Sequence, residues 1–236
     1  AVGKRSLGPD HPDMATQLGN LGLLYQAINR HSEAEVVFRR ALGVCEKNSA
    51  FTPSQIVTQI DNLVSFYSAI GRSFDAATLL RRSLSILEIS MGYRNPSLLQ
   101  RLRYAAQIHR DAGLYADAIS YVARALAIAR KLSGDRLSDP IVDSTLRADL
   151  YCLVGNYRKA EFILDRALQG VKTLGSDQNL DCIVAFNGLA LLYQITGRFS
   201  MAEVTFRQTL KRSKDSVGVR HQIFARQLGH LGLLFQ

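Results

Sequence analysis

The sequence predicts an all-α protein, a solenoid of about five helical hairpins in tandem with partial helices flanking them. Three observations predict it. Columns of like residues recur every 42 positions along the chain. Asparagine or glycine and then proline punctuate each unit at fixed places. Between those marks the apolar residues keep helical spacing, and self-similarity at a period in the 20–50 residue range is the signature of a repeat architecture.

The first helix of each unit comes first in the chain. It carries apolar residues such as Leu18, Leu21, Leu24 and Tyr25, or Ile60, Leu63, Phe66 and Tyr67. It ends at the column Asn29, Gly71, Gly113, Gly155, Gly197, residue types that tolerate the left-handed conformation in which helices close. Four residues earlier stands an aromatic column, Tyr25, Tyr67, His109, Tyr151, Tyr193 and Phe235. A column that is always Gly, Ala or Val (Gly22, Val64, Ala106, Ala148, Ala190, Gly232) lets a partner helix approach closely.

The second helix follows the stop. Its columns are Ala34, Ala76, Ala118, Ala160, Ala202; then Phe38, Leu80, Val122, Leu164, Phe206; then Ala41, Ser83, Ala125, Ala167, Thr209; then Leu42, Leu84, Leu126, Leu168, Leu210. Ser32 with Glu35 and Ser200 with Glu203 are expected to start it as capping boxes. All five prolines, Pro9, Pro12, Pro53, Pro96 and Pro140, fall between one unit's second helix and the next unit's first. Thr52-Pro53, Asn95-Pro96 and Asp139-Pro140 read as a cap followed by proline in the first turn, where its missing donor costs nothing. A long coiled coil could share the period, since 42 is six heptads, but it would have to run through glycine and proline twice per unit. The expected organisation is one solenoid over residues 1–236. Its repeats lie near 10–49, 52–91, 95–133, 139–175 and 179–216, with a partial sixth at 219–236. No polar capping helix closes the array, which suggests an excerpt of a longer protein or end-to-end stacking.

The series Leu21, Gly22, Tyr25, Asn29, Ala34, Phe38, Ala41 resembles the tetratricopeptide motif. That motif usually spans about 34 residues. The longer unit, with Leu7-Gly8-Pro9-Asp10-His11-Pro12-Asp13 leading into Asn20-Leu21-Gly22-Leu23-Leu24-Tyr25 and then Ala34-Glu35 and Arg40-Ala41-Leu42, is similar to the kinesin light chain class of repeat. The third and fourth units depart from it, with Ala105 and Arg147 in the leucine column and His109 in the aromatic one. The resemblance implies a right-handed α-α superhelix whose first helices line a concave wall, a cargo-binding adaptor function, and a cytoplasmic, cytoskeleton-associated setting.

On that reading the positions between the core columns of the first helices form a peptide-binding groove. The candidate residues are Asn20, Gln26, Asp61, Asn62, Arg103, Gln107, Arg110, Asn187 and Gln194, within a wider set that includes Gly19, Leu23 and Cys152. An amide can donate to a peptide carbonyl and accept from its N–H, so Asn20 and Asn62 suit an extended backbone of any sequence. Arg103 and Arg110 suit acidic side chains through forked hydrogen bonds. A formal charge of +9 points the same way, toward a partner of acidic character.

Chemistry of other kinds finds little purchase. Cys45, Cys152 and Cys182 are dispersed and odd in number, matching neither a disulfide framework nor a CxxC pair. The nucleophile-elbow, phosphate-loop, zinc and EF-hand patterns are missing, so no catalytic residue, metal or cofactor is expected. His109 is expected to be a packed core residue. No run approaches the ~18 apolar residues of a membrane span. Two other functions compete with the adaptor: a scaffold that self-associates through its solenoid ends, and, less favoured because the aromatics fall in core columns, a nucleic-acid-binding repeat.

Overall fold

The computed structural model describes residues 12–133, 141–173, 180–217 and 222–233. The described residues form eleven helices and no strand: α1 (Pro12–Ala27), α2 (His31–Lys47), α3 (Pro53–Ala69), α4 (Ser73–Met91), α5 (Leu98–Asp111), α6 (Tyr115–Ser133), α7 (Ile141–Leu153), α8 (Tyr157–Thr173), α9 (Leu180–Ile195), α10 (Phe199–Val217) and α11 (Gln222–Leu233). They fall into two compact units, residues 1–114 and 115–236. In the first, α1 packs on α2, α3 on α4, and α2 and α4 on the helices that follow them. In the second, α6 through α11 pack each on the next, and α7 also meets α9. Each unit is therefore built of helical hairpins stacked on one another.

The predicted helix stop is a backbone device. Asn29 has φ 59°, and Gly71, Gly113, Gly155 and Gly197 have φ between 73° and 76°. At each, the following residue's N–H returns to the carbonyl of the aromatic column: Arg30 to Tyr25, Arg72 to Tyr67, Leu114 to His109, Asn156 to Tyr151 and Arg198 to Tyr193, all at 2.8 Å. This is the Schellman closure, which satisfies the last carbonyls of a helix through one left-handed residue.

Closing the turn in this way moves the start of the second helix. Ala34 N bonds to Arg30 O and Ala202 N to Arg198 O, so α2 and α10 begin at His31 and Phe199. Ser32 and Ser200 then lie inside the first turn, and α2 has no side-chain cap at Arg30. The expected capping boxes do not form there. One does form at Thr52, whose hydroxyl accepts from Gln55 N at 3.4 Å while Gln55 Oε1 accepts from Thr52 N at 2.8 Å, with Pro53 in the first turn. Asn95 instead makes a local turn, accepting from Ser97 N at 2.9 Å, and α5 starts two residues after Pro96. Pro9, Asp139 and Pro140 lie outside the described residues.

The columns of the second helix are the core. All five alanines from Ala34 to Ala202 are 0% exposed, so nothing larger fits against them without displacement. Phe38, Leu80, Val122, Leu164 and Phe206 are equally buried. Gly22 shows why the small column is small: a side-chain carbon there would meet the Phe38 ring at 2.6–2.8 Å. His109 is fully buried, its Nδ1 2.8 Å from the Ala105 carbonyl of its own helix. The leucine column is less uniform. Leu63 and Leu189 are buried, whereas Leu21 and its neighbour Leu24 are 37% and 57% exposed. Helix α1 leans on α2 and α3, and among the described residues nothing covers its other side.

Candidate functional site

The predicted groove residues lie on the first helices, two of them exposed and the rest half-buried, and are distributed between the two units. In the first, Asn20 and Gln107 are exposed, and Gln26, Asn62, Arg103 and Arg110 are half-buried. Asn62 Nδ2 donates to Gln59 Oε1 at 3.4 Å, and a side-chain carbon on Gly19 would lie 3.3 Å from both groups. The Asn62 amide thus sits in the seam where α1 approaches α3. Asp61 is engaged by Arg101, which binds both carboxylate oxygens and donates to Ser83 Oγ at 2.5 Å. That contact ties α3 and α4 to α5, and Arg101 is outside the predicted set. Arg110 donates to Asp111 Oδ1 at 3.1 Å, and Arg103 also has an interaction of its own.

In the second unit Asn187 and Gln194 are half-buried on α9. The Asn187 Oδ1 atom is buried and has no hydrogen-bond donor among the described residues. Cys152, from the wider groove set, is pushed up to about 11 by burial and by the nearby Asp149 charge. Its thiol is protonated and unreactive at neutral pH.

A second feature belongs to the junctions between hairpins. Glu35 of α2 accepts from Tyr67 Oη at 2.7 Å, from Arg39 at 2.9–3.0 Å and from Arg72 at 2.8 Å. The Arg72 guanidinium also lies 4.5 Å over the Tyr67 ring. Burial works to raise the Glu35 carboxyl, but the bonds from Tyr67 and Arg39 and the Arg72 charge hold it below the usual carboxylate range. Three repeats on, Glu161 accepts from Arg198 at 2.7 and 2.9 Å, and Arg198 lies 4.5 Å over Tyr193. An arginine after the turn thus seals the aromatic column to the preceding hairpin.

Beside these clasps lie two clefts, one in each unit. The cleft between α2, α3 and α4 is about 490 Å³ and is lined by Arg39, Glu46, Leu63, Tyr67, Asp75, Thr78 and Arg82, among others. Its charges are closed on one another: Arg82 on Glu46 at 2.6 Å, Asp75 on Arg72 at 2.7 Å, Arg39 on Glu35. The cleft between α6, α7 and α8 is about 280 Å³, lined by Arg130, Arg147, Tyr151, Lys159, Phe162, Ile163 and Arg166. Each of these residues stands 84 positions, two repeats, after a residue of the first cleft: Glu46, Leu63, Tyr67, Asp75, Thr78, Leu79 and Arg82 in that order. It is one place in the repeat, with its charge rewritten.

The apolar columns gave no hint of this cleft. The signal that would have found it is a charge column: Glu46 and Glu88 give way to Arg130 and Lys172, and Asp75 and Asp117 to Lys159. Arg147, noted only as a departure in the leucine column, belongs to the same change.

Hairpins joined by a left-handed turn, packed through an alanine column and exposing variable polar faces on their first helices, define a helical-repeat interaction scaffold. Among the described residues no helix is long and apolar enough to cross a membrane. The sequence profile described as "Tetratricopeptide repeat" matches residues 1–47, 56–131 and 142–215. The chain belongs to the tetratricopeptide repeat family. Its fold is similar to that of the putative kinesin light chain nearly identical TPR-like repeats from Podosopora anserina, with TM-score 0.69 and 18% identity over 88% of this chain and 98% of that one. BtubC (BKLC) from P. vanneervenii has TM-score 0.64 and 20% identity over 89% and 84%. The apo form of RapI has TM-score 0.68 and 14% identity over 93% and 58%. No curated protein sequence matches the chain.

Proposed function

We propose that this tetratricopeptide scaffold is an adaptor whose first-helix faces hold an extended peptide segment of a partner protein, in the manner of kinesin-light-chain-like cargo recognition. The observation that carries the reading is the register of those faces. Within each unit, amides or guanidinium groups stand at exposed or half-buried positions between the core columns of first helices: Asn20 on α1 and Arg103 and Gln107 on α5 in the first, Asn187 and Gln194 on α9 in the second. Such groups can pair with a peptide backbone irrespective of its side chains. Asp61, held by Arg101, serves the packing of α3 and α5 and positions its neighbours in place of touching the ligand.

Arg103, Arg110 and the formal charge of +9 favour acidic side chains in the peptide, and the resemblance to kinesin light chain repeats favours a cytoplasmic, cytoskeleton-associated setting for the adaptor. The test is a peptide-array screen followed by titration of the best acidic peptide against the chain and against Arg103→Glu with Arg110→Glu. Binding is expected to fall about tenfold or more and to weaken as salt rises. Unchanged binding by the double variant would remove the third repeat from the site.

A further inference from the structure

The cleft between α6, α7 and α8 departs from its counterpart in a way that packing does not explain. Where the second repeat buries Leu63 to 2% exposure, the fourth places Arg147. The Arg147 Nε atom is buried and finds no hydrogen-bond acceptor among the described residues. A buried donor without an acceptor is among the costlier defects a fold can keep, so a position that could hold leucine holds guanidinium against its own stability. Lys159 stands where Asp75 pairs with Arg72, and Arg166 where Arg82 pairs with Glu46. Arg130, which has an interaction of its own, completes the wall, and among the described residues no carboxylate lines the cleft. Arg147, Lys159 and Arg166 bring like charges to one concavity, and an anion entering it would lower their mutual repulsion.

The aromatic groups have changed with the charges. In the second and fifth repeats an arginine after the turn covers the tyrosine, Arg72 on Tyr67 and Arg198 on Tyr193. In the fourth repeat that residue is Asn156, and the Tyr151 ring faces the cleft's own cations instead, 5.4 Å from Lys159 Nζ and 5.8 Å from the Arg147 guanidinium. Phe162, where the second repeat has Thr78, stands 65% exposed at the rim. The cleft therefore offers a tetrahedral anion several N–H donors and offers a flat group two rings. At about 280 Å³ it is at or below the low end of small-molecule pockets, the size for a phosphate with one ring attached.

We propose that this cleft is a receptor for a phosphate monoester carried on a flat ring, borne either by a small organic molecule or by a peptide side chain. Arg147 and Arg166 supply forked donors to the phosphate oxygens, Lys159 supplies a point charge, and Tyr151 and Phe162 hold the ring. The site is separate from the first-helix groove and does not depend on it.

The test is calorimetric titration of the full chain with phenyl phosphate, inorganic phosphate, a phosphotyrosine peptide and the same peptide without phosphate, at physiological ionic strength. Three variants accompany it: Arg147→Leu with Lys159→Asp, which restores the second repeat's residue types; Lys159→Asp alone, at an exposed position; and Lys211→Asp with Lys214→Leu, which removes equal charge from exposed positions of α10. Phosphate-bearing probes are expected to bind the parent chain and the α10 control alike. They should bind at least about tenfold more weakly to the double variant and measurably more weakly to Lys159→Asp, with helical circular dichroism unchanged. Phenyl phosphate matching the phosphopeptide would identify a small-molecule ligand; a phosphopeptide preferred tenfold or more would identify a protein one. Absence of binding to the parent chain, or equal loss in the α10 control, would overturn the proposal. Neither result bears on the Arg103 and Arg110 variants, which test the groove.

Discussion

The clefts of the second and fourth repeats occupy the same place in a 42-residue unit and do different work with it. In the second, every charge answers another, and the cleft wall doubles as a fastening between hairpins: Glu46 with Arg82, Asp75 with Arg72, Glu35 with Tyr67, Arg39 and Arg72. In the fourth, three substitutions of the same register leave basic groups around two rings. The backbone is indifferent to the change, because the turn and the alanine column that set helix spacing are the same in both. A repeat fold thus lets charge be rewritten at one unit without disturbing the packing that defines it.

That claim is open to breakage first where packing is common to both regions. Ala76→Leu and Ala160→Leu should each overpack a hairpin by ~1–3 kcal/mol, as should Ala118→Leu. Chemical denaturation followed by circular dichroism would show it, and a substitution tolerated in only one unit would mean that the two hairpins are not equivalent.

Next come the fastenings. Glu35→Gln should lower stability by about 1–2 kcal/mol, since three donors lose a charged acceptor that is only partly exposed. The sign with pH follows from its lowered pKa: the contribution is fully present above the unfolded carboxyl's range and is lost as pH falls through the folded value. Melting curves at decreasing pH should therefore show an acid decline for the parent chain that is shallower in Glu35→Gln. The reverse ordering would mean that Glu35 is not the group that acid discharges.

Smaller effects sharpen the contrast. Glu46→Gln breaks a half-exposed pair and should cost ~0.2–1 kcal/mol. Lys159→Asp should be neutral or slightly stabilising, within about 0.5 kcal/mol, because it relieves crowded cations. If Lys159→Asp destabilised as much as Glu46→Gln, the fourth cleft would be a fastening too. The smallest readout is chemical: Cys152, pushed up to about 11, should alkylate more slowly with iodoacetamide in the folded chain than in the denatured one, as followed by mass spectrometry.

Most of the fold was legible because a repeat writes its core five times. One alanine or one glycine says little, but Ala34 to Ala202 and Asn29 to Gly197 fix helix spacing and helix ends together, and the structure buries the first set and gives the second positive φ. The failures have local causes. Ser32 and Ser200 carry the sequence of a cap, but the preceding closure already determines where the helix starts, so Glu35 reaches across to the next hairpin instead. Leu24 follows the apolar pattern and yet stays exposed, because periodicity reports what a helix could bury and not whether a neighbour is there. In the groove, Asp61 reads as a ligand contact until its partner Arg101 is seen. The fourth-repeat cleft was missed for a different reason: its information lies in charges compared across repeats, not in the apolar columns that reveal the period.

The turns that end the first helices have one more consequence. At Gly71, Gly113, Gly155 and Gly197 a side-chain carbon would meet nothing within 4 Å, so the demand on these residues is torsional and not spatial. Asn29 shows a side chain carried there already. These corners are ready-made attachment points: asparagine at each should cost no more than about 1 kcal/mol, and a label or glycan hung there would ride on the outside of the array while leaving core, clasp and cleft untouched.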